Sequence, residues 1–155
     1  MVPVTGARTD ENAKDVRPRP STPDTVRGVG IDAVDVERFR RVMERRPRLA
    51  RRVFTDAERA YAALVTDPAP RLAARFAAKE AVMKALGVGI GAMGMREIEV
   101  TRAESGAPDL VLAGRAAALA RHRGVGGWHL SLTHTELVAM ASVVAVGARG
   151  KGDLK

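Results

Sequence analysis

The fold is decided by one alanine-rich stretch, Arg71-Leu-Ala-Ala-Arg-Phe-Ala-Ala-Lys-Glu-Ala-Val-Met-Lys-Ala-Leu86. Two prolines, Pro68 and Pro70, precede this stretch, and Gly87 follows it directly. Proline near the start and glycine just past the end are typical of helix termini. The stretch therefore predicts a long helix, and we expect it to be the central helix against which the strands of the domain pack.

Charged residues interrupt the apolar side of this helix. Phe76, Glu80 and Lys84 recur every four residues and share one stripe with Ala73 and Ala77, and Phe76 predicts that this stripe is buried. Glu80 and Lys84 could form an ordinary ion pair on a flank of the helix, worth about 0.2–0.5 kcal/mol. They could instead be a metal ligand and a phosphate-binding lysine. The spacing alone leaves both interpretations open.

A second carboxylate, Asp32, follows the run Gly28-Val-Gly-Ile31. The alternation of Val29 and Ile31 with small residues predicts a strand that ends near Asp32. At a strand end, Asp32 could be a turn residue or the N-cap of the next helix. Magnesium, however, is typically held by one or two carboxylates and completed by phosphate oxygens and water, and Asp32 with Glu80 would supply that ligand set.

Other polar residues have ordinary interpretations. Arg75 and Lys79 lie one turn apart on the neighbouring face of the long helix, where the pattern favours a solvated stripe. His134 lies at a predicted turn between two apolar strands, where a lone histidine is more often structural than catalytic. The glycine-rich run 87–91 could present backbone N–H groups to a phosphate, but it matches neither a Walker loop nor a dinucleotide fingerprint.

The rest of the chain predicts short helices interleaved with antiparallel strands. The predicted helices are 36–46, ended by Pro47, a short helix that Thr55 and Glu58 open with capping-box spacing, and 116–122. The predicted strands lie around 98–101, 110–112, 128–133 and 137–146, with turns at 105–108 and 134–136. This order favours a compact single α+β domain. Residues 1–25 are interpreted as a disordered N-terminal extension, 26–147 as the folded domain and 148–155 as a flexible tail.

The composition narrows the functional classes. The 155 residues contain no cysteine, which excludes thiol catalysis, cysteine-bound zinc and disulfides. No run approaches the roughly 18 apolar residues of a membrane span, and no signal peptide is recognisable, so we expect a cytoplasmic protein that binds no membrane. The net charge of +8 favours an anionic partner, which could be nucleic acid, an acidic protein or a phosphate-rich small molecule.

Taken together, the segments resemble the bacterial holo-acyl-carrier-protein synthase family of 4'-phosphopantetheinyl transferases. The similarity extends from about Val26 to Val146 and is strongest in the long helix. The matching blocks, in chain order, are Gly28-Val-Gly-Ile-Asp-Ala-Val-Asp-Val-Glu-Arg-Phe39, Val53-Phe-Thr-Asp-Ala-Glu58, Arg75-Phe-Ala-Ala-Lys-Glu-Ala-Val-Met-Lys-Ala-Leu-Gly87, Gly89-Ile-Gly91, Ile98-Glu-Val100, Gly106-Ala-Pro108 and Trp128-His-Leu-Ser-Leu-Thr-His-Thr135.

The resemblance implies a compact α+β protomer that forms a homotrimer with active sites at the protomer interfaces. It also implies transfer of the phosphopantetheine arm of coenzyme A to a serine of an acidic acyl carrier protein, which could serve fatty acid, polyketide or peptide synthesis. The same match implies these residue roles: Asp32 and Glu80 as Mg²⁺ ligands and, with Lys84, as catalytic residues; Arg75, Lys84, Gly106, Pro108 and His134 as the coenzyme A site; Arg38 and Arg41 as the carrier-binding surface.

The chain departs from the family pattern at one position, and two other functional interpretations were considered. The family's usual Gly-Lys-Pro loop has alanine in place of its lysine, at Ala107. A basic nucleic-acid-binding module would explain the arginines, but the scarcity of aromatic residues argues against base stacking. A non-catalytic trimeric homologue would not need Asp32, Glu80 and Lys84.

Overall fold

The computed structural model describes residues 25–147, a mixed helix and antiparallel-sheet domain. Apart from Thr25, the predicted N-terminal extension and the predicted tail lie outside these residues. In chain order the elements are β1 (Val26–Asp35), α1 (Val36–Arg45), α2 (Pro47–Val53), α3 (Asp56–Ala62), α4 (Ala69–Ala85), a 3-10 turn (Met95–Glu97), β2 (Ile98–Arg102), β3 (Pro108–Leu112), α5 (Gly114–His122), β4 (Val125–His134) and β5 (Val138–Gly147).

The strands form two antiparallel sheets around the long helix α4. One sheet has three strands in the order β1-β5-β4, and the other pairs β2 with β3. Helix α4 packs against β1 and β5, and its buried residues are mostly alanines, which let backbones approach closely. The predicted α+β class, with antiparallel strands on a long central helix, is confirmed.

Two glycines allow β1 to lie directly on α4. A Cβ atom at Gly28 would overlap the carbonyl oxygen of Ala85, and one at Gly30 would overlap the carbonyl oxygen of Ala81. Successive side chains of a strand point to opposite faces, so Asp32 belongs to the same face as the two glycines. The Gly-x-Gly-x-Asp pattern therefore brings a carboxylate against the C-terminal half of α4.

The predicted end of β1 was wrong. The strand continues to Asp35, and Asp32 lies within it, opposite Ala141 of β5. The N-cap of α1 is Asp35, whose Oδ1 accepts a 2.7 Å hydrogen bond from the Arg38 backbone N–H. Pairing with β5 holds Asp32 in an extended backbone, which a flanking-residue pattern does not reveal.

The sequence pattern also missed helix α2. Pro47 ends the first helix as predicted, but it is also the first residue of the next helix. Proline fits that position because its missing N–H would have no intrahelical partner there. The predicted capping box of α3 is confirmed, with hydrogen bonds exchanged between Thr55 and Glu58.

The solvated stripe predicted for Arg75 and Lys79 was wrong, because both side chains are buried. The Lys79 ammonium lies 2.8 Å from the Glu58 carboxylate and donates to the Met95 carbonyl at 2.9 Å and to the carbonyl of Ile98. Helix α4 is covered on one side by the sheet and on another by α3 and β2. Its buried surface is therefore wider than one apolar stripe. Phe76 and Glu80 are half-buried and Lys84 is exposed.

Candidate active site

One feature of the site is an open groove of about 940 Å³ beside α1, α2 and α4. Asp32 and Glu80 lie on its wall, and most of the other lining side chains are apolar. The apolar residues include Phe39, Val42, Met43, Leu49, Val53, Phe76, Met93 and Met95. Two carboxylates thus adjoin a mostly apolar groove surface.

The structure brings together the three predicted catalytic side chains. The Lys84 Nζ lies 2.8 Å from the Asp32 carboxylate and donates to the Ile31 carbonyl at 2.9 Å. Glu80 lies one turn before Lys84 on α4. The alternative of an isolated Glu80–Lys84 flank pair is not what the structure shows, because Lys84 pairs with Asp32 across to β1.

The Glu80 carboxylate fits a cation ligand. Its Oε1 atom is buried and has no hydrogen-bond partner among residues 25–147. Burial raises the pKa of Glu80, the neighbouring Asp32 raises it further, and Lys84 lowers it in part. A buried carboxylate oxygen without a donor, beside a second carboxylate, is the arrangement that a divalent cation satisfies.

The donor set suits magnesium in particular. Within the described residues no group of three or more acidic, histidine or cysteine side chains could hold a metal. Asp32 and Glu80 would supply two carboxylate ligands at this place. Magnesium is commonly bound in this way, with substrate phosphates and water completing its octahedral coordination.

A second pocket, of about 270 Å³, collects the residues predicted for the nucleotide end of coenzyme A. Arg75, Gly106, Pro108 and His134 all line it, although they come from α4, the β2–β3 turn, β3 and β4. Gly106 has a positive φ of 83°, which glycine adopts without strain. The tertiary fold thus converges the four side chains and backbone segments that the sequence match had grouped.

Sequence reasoning missed three residues of this pocket: Tyr61, Arg71 and Arg102. The guanidinium carbons of Arg71 and Arg102 lie 4.5 and 5.4 Å from the Tyr61 ring centroid. One signal was present, because Arg71 and Arg75 are four residues apart and share a helix face. Arg102 has no such local signal, since it lies at the end of β2, far along the chain from Tyr61 and Arg71.

The predicted carrier-binding residues lie on α1. Arg38 lines the large groove near Asp35, and Arg52 of α2 adds a second cation to the lining. Arg41 is exposed and its guanidinium lies 3.9 Å from the Glu37 carboxylate, outside the groove lining. The structure therefore places Arg38 at the groove and Arg41 on the adjoining surface of the same helix.

The long helix packed against a small antiparallel sheet has counterparts among known proteins. The chain belongs to the 4'-phosphopantetheinyl transferase superfamily, whose family model matches residues 28–138. A holo-[acyl-carrier-protein] synthase of Moorella thermoacetica is 50% identical over 112 residues, which cover 72% of this chain and 88% of the relative.

Solved structures support the same assignment. The holo-[acyl-carrier-protein] synthase of Neisseria meningitidis superposes with a TM-score of 0.71 at 32% identity, covering 78% of this chain and 98% of that one. The enzyme of Bacillus anthracis, solved in complex with CoA (3',5'-ADP), gives a TM-score of 0.67 at 30% identity, covering 79% and 98%. Among residues 25–147, no helix has the length and apolar character needed to cross a membrane.

Proposed function

We propose that this protein transfers the 4'-phosphopantetheine group from coenzyme A to a serine of an apo acyl carrier protein and releases adenosine 3',5'-bisphosphate. The observation that carries the proposal is the buried Glu80 Oε1 atom, which has no hydrogen-bond partner among residues 25–147. It lies on the groove wall with Asp32, whose carboxylate pairs with Lys84. The similar enzymes are named for this modification of acyl carrier proteins. A cytoplasmic location is part of the proposal, because coenzyme A is a cytoplasmic compound.

The chemistry is a displacement at the β-phosphorus of coenzyme A. The serine hydroxyl oxygen forms a bond to this phosphorus and its proton passes to water, while the bridging P–O bond breaks and the nucleotide departs as the leaving group. Such reactions depend on positioning and on neutralising the charge of the phosphate oxygens. Lys84 supplies one positive charge from α4, where its Nζ is held by Asp32 and the Ile31 carbonyl.

Asp32 and Glu80 are the residues that would hold Mg²⁺. When bound, the ion supplies charge neutralisation for the pyrophosphate. The close contact of β1 with α4 and the effect of the Asp32 charge on Glu80 support this assignment. Because burial already raises the pKa of Glu80, a cation nearby also relieves the cost of ionising it.

The carrier is proposed to dock on α1 and the groove. Arg38 and Arg41 would attract an acidic carrier over several ångströms, and the apolar groove lining would receive apolar side chains of the carrier. Carriers of fatty acid, polyketide and peptide synthesis all fit this surface chemistry.

A homotrimer is the proposed assembly. One face of the three-stranded sheet packs on α4, and the opposite face exposes apolar side chains, among them Val29 at 66%, Ile31 at 60% and Met140 at 37%. A contiguous exposed apolar patch on a sheet marks an interaction surface. Association through this face would bring the sites near protomer boundaries.

The activity is tested by incubating the protein with apo carriers of the three pathways, coenzyme A and Mg²⁺, and measuring the intact mass of each carrier. We expect a phosphopantetheine adduct on at least one of them.

Glu80→Gln should lower turnover by at least 100-fold, an order-of-magnitude figure for a lost charge-stabilising group, while leaving the oligomeric state unchanged. Arg121→Gln, on the exposed end of α5, is the control. No adduct on any carrier would refute the proposal, and tight DNA binding that competes with coenzyme A would favour the nucleic-acid alternative.

A further inference from the structure

A buried ammonium lies behind the wall of the large groove. The Lys79 side chain is inaccessible to solvent, and its Nζ atom lies 2.8 Å from the Glu58 carboxylate. The same atom donates to the Met95 carbonyl at 2.9 Å and to the carbonyl of Ile98. Because an ammonium has three N–H donors, these three acceptors satisfy all of them. We call Lys79 and Glu58 the buried pair.

The carboxylate of the buried pair is also fully engaged. Glu58 Oε2 accepts a 2.9 Å hydrogen bond from the Thr55 backbone N–H in addition to its contact with Lys79. Its Oε1 atom accepts a 2.9 Å hydrogen bond from the Val100 backbone N–H. The buried pair therefore joins α3, α4, the 3-10 turn and β2 through directed contacts.

The segments joined by the buried pair also form the wall of the groove. Met95, whose carbonyl accepts from Lys79, is one of the lining residues. Val53 lines the groove two residues before Thr55, whose N–H is held by Glu58. Glu80 directly follows Lys79 in α4 and lies on the same groove. The buried pair thus connects the apolar wall to the candidate cation ligand from behind.

Stability alone does not account for two charges at this place. Each ion loses its hydration on burial, and apolar residues of similar volume often stabilise a protein core as well as a buried ion pair does. The surroundings are apolar, since the buried Phe54 ring lies 5.7 Å from the Lys79 Nζ atom. Hydrogen bonds constrain angles as well as distances, whereas apolar burial is non-directional. The charges therefore add fixed geometry at this point.

Fixed geometry is important where two large substrates must meet. The proposed carrier lies on the apolar wall, and the pyrophosphate of the proposed donor lies at the two carboxylates. Reacting atoms must approach to about 3–3.5 Å, and a misplacement of about 1 Å can lower the rate about 100-fold. The distance between the wall and Glu80 thus controls how closely the serine oxygen approaches the phosphorus.

We propose that Lys79 and Glu58 are positioning residues, which fix the groove wall at Val53 and Met95 relative to Glu80 and so align the carrier serine with the donor phosphorus. The inference rests on the proposed function, because it assigns the buried pair a part in that transfer. Neither side chain contacts a substrate, since both are inaccessible to solvent. The buried pair therefore acts on the rate of transfer and leaves the binding of coenzyme A unchanged.

The kinetic test uses the double variant Glu58→Gln/Lys79→Met, which buries no unpaired charge. Arg115→Met is the matched control, because it removes a cation that contacts the same 3-10 turn from its exposed side, 3.7 Å from Glu97. Both are assayed at a temperature where circular dichroism shows them folded. We expect the kcat of the double variant to fall by about 10- to 100-fold. Its KM for coenzyme A, and both constants of the control, should stay at wild-type values.

A carrier-free measurement reports on the groove wall directly. The chain has six methionines, which can be followed by NMR after labelling of their methyl groups with carbon-13. Met93 and Met95 line the groove, whereas Met140 lies on the exposed face of the sheet. We expect the double variant to shift the first two resonances and to leave that of Met140 unchanged. Calorimetry with coenzyme A and Mg²⁺ should give the wild-type Kd and stoichiometry.

A second variant, Glu58→Asp, keeps both charges but shortens the carboxylate side chain by one methylene group. It cannot maintain the contacts to Lys79, Thr55 and Val100 without movement of the segments that they join. We expect its kcat to fall in the same direction as that of the double variant. If the double variant does not fold, wild-type kcat in a folded Glu58→Asp enzyme overturns the positioning role.

The outcomes separate this inference from the proposed function. A folded double variant with wild-type kcat shows a merely structural pair, which overturns the inference while the proposed function stands. Equal losses of kcat and of coenzyme A binding sites show general damage, which also overturns it. A wild-type protein that modifies no carrier contradicts the proposed function. The methionine resonances then decide the role of the buried pair: unshifted Met93 and Met95 overturn it, and shifted ones with intact coenzyme A binding support it.

Discussion

Lys79 and Glu58 form a fully buried ion pair next to the candidate active site. Both side chains are inaccessible to solvent, and the second Glu58 oxygen accepts a 2.9 Å hydrogen bond from the Val100 backbone N–H. Burial lowers the pKa of Lys79, and the Glu58 charge opposes that effect. The pair joins α3, α4 and β2 directly before Glu80 in the chain, so the position of Glu80 depends on it.

Removal of either residue of the Lys79–Glu58 pair should destabilise the folded protein. Lys79→Met leaves the Glu58 carboxylate buried without its cation, and we expect the free energy of unfolding to fall by about 3–5 kcal/mol. Arg115→Met, which breaks a 3.7 Å contact of an exposed side chain with Glu97, should cost no more than about 1 kcal/mol. Urea unfolding measures both values.

The double variant Glu58→Gln/Lys79→Met is the second arm of this test. Because it buries no unpaired charge, it should lose less stability than the sum of its single variants. If Lys79→Met does not fold, the stability of the double variant can still be compared with that of the wild type. Equal stability of Lys79→Met and the wild type would contradict the importance assigned to the pair.

The contact between β1 and α4 sets the geometry of the site at the level of elements. Gly28 and Gly30 bring the strand backbone against the carbonyl groups of Ala85 and Ala81. Asp32 reaches Lys84 only because the two elements touch without intervening side chains. A substitution that separates them should therefore affect stability and catalysis together.

Gly30→Ala is the direct test of this contact. Its Cβ would overlap the Ala81 carbonyl oxygen, which is backbone and has little room to move. We expect a loss of about 1–3 kcal/mol of stability, as for overpacking, and a larger loss of kcat as Asp32 shifts from Glu80. Gly89→Ala is the matched control, because its Cβ would meet no heavy atom within 4 Å. A Gly30→Ala enzyme with wild-type melting temperature and turnover would show that close packing is not required.

The same elements explain how much could be predicted from the sequence. Helix α4, the capping box at Thr55 and the hairpin of β4 and β5 have local signals, and these predictions are confirmed. Helix α2 was missed because Pro47 both ends one helix and begins another. The buried state of Lys79 depends on Glu58, which is distant in the chain, and periodicity does not encode such a partner.

The candidate site likewise contains residues that the sequence indicated and residues that only the tertiary structure revealed. Glu80 and Lys84 were found because a carboxylate and an ammonium disturb an apolar helix pattern, whereas the grouping of Arg75, Gly106, Pro108 and His134 came from the family resemblance. Tyr61 and Arg102 required the tertiary structure, because their partners come from three separate elements. The roles of the predicted site residues stay predictions until their variants are measured.

At the scale of the whole molecule, one face of the three-stranded sheet exposes apolar side chains among residues 25–147. Helix α4 covers one side of the β1-β5-β4 sheet, and Val29 and Ile31 project from the other side, 66% and 60% exposed.

A charge placed in a contact between protomers is desolvated without compensation, which opposes association. Val29→Glu should therefore convert the proposed trimer to monomers, as measured by size-exclusion chromatography with light scattering, and lower activity if the sites lie between protomers. Leu64→Glu is the matched control, since Leu64 is 75% exposed and lies after α3, outside this sheet. A monomeric wild-type protein, or a trimeric Val29→Glu variant, would contradict assembly through this face.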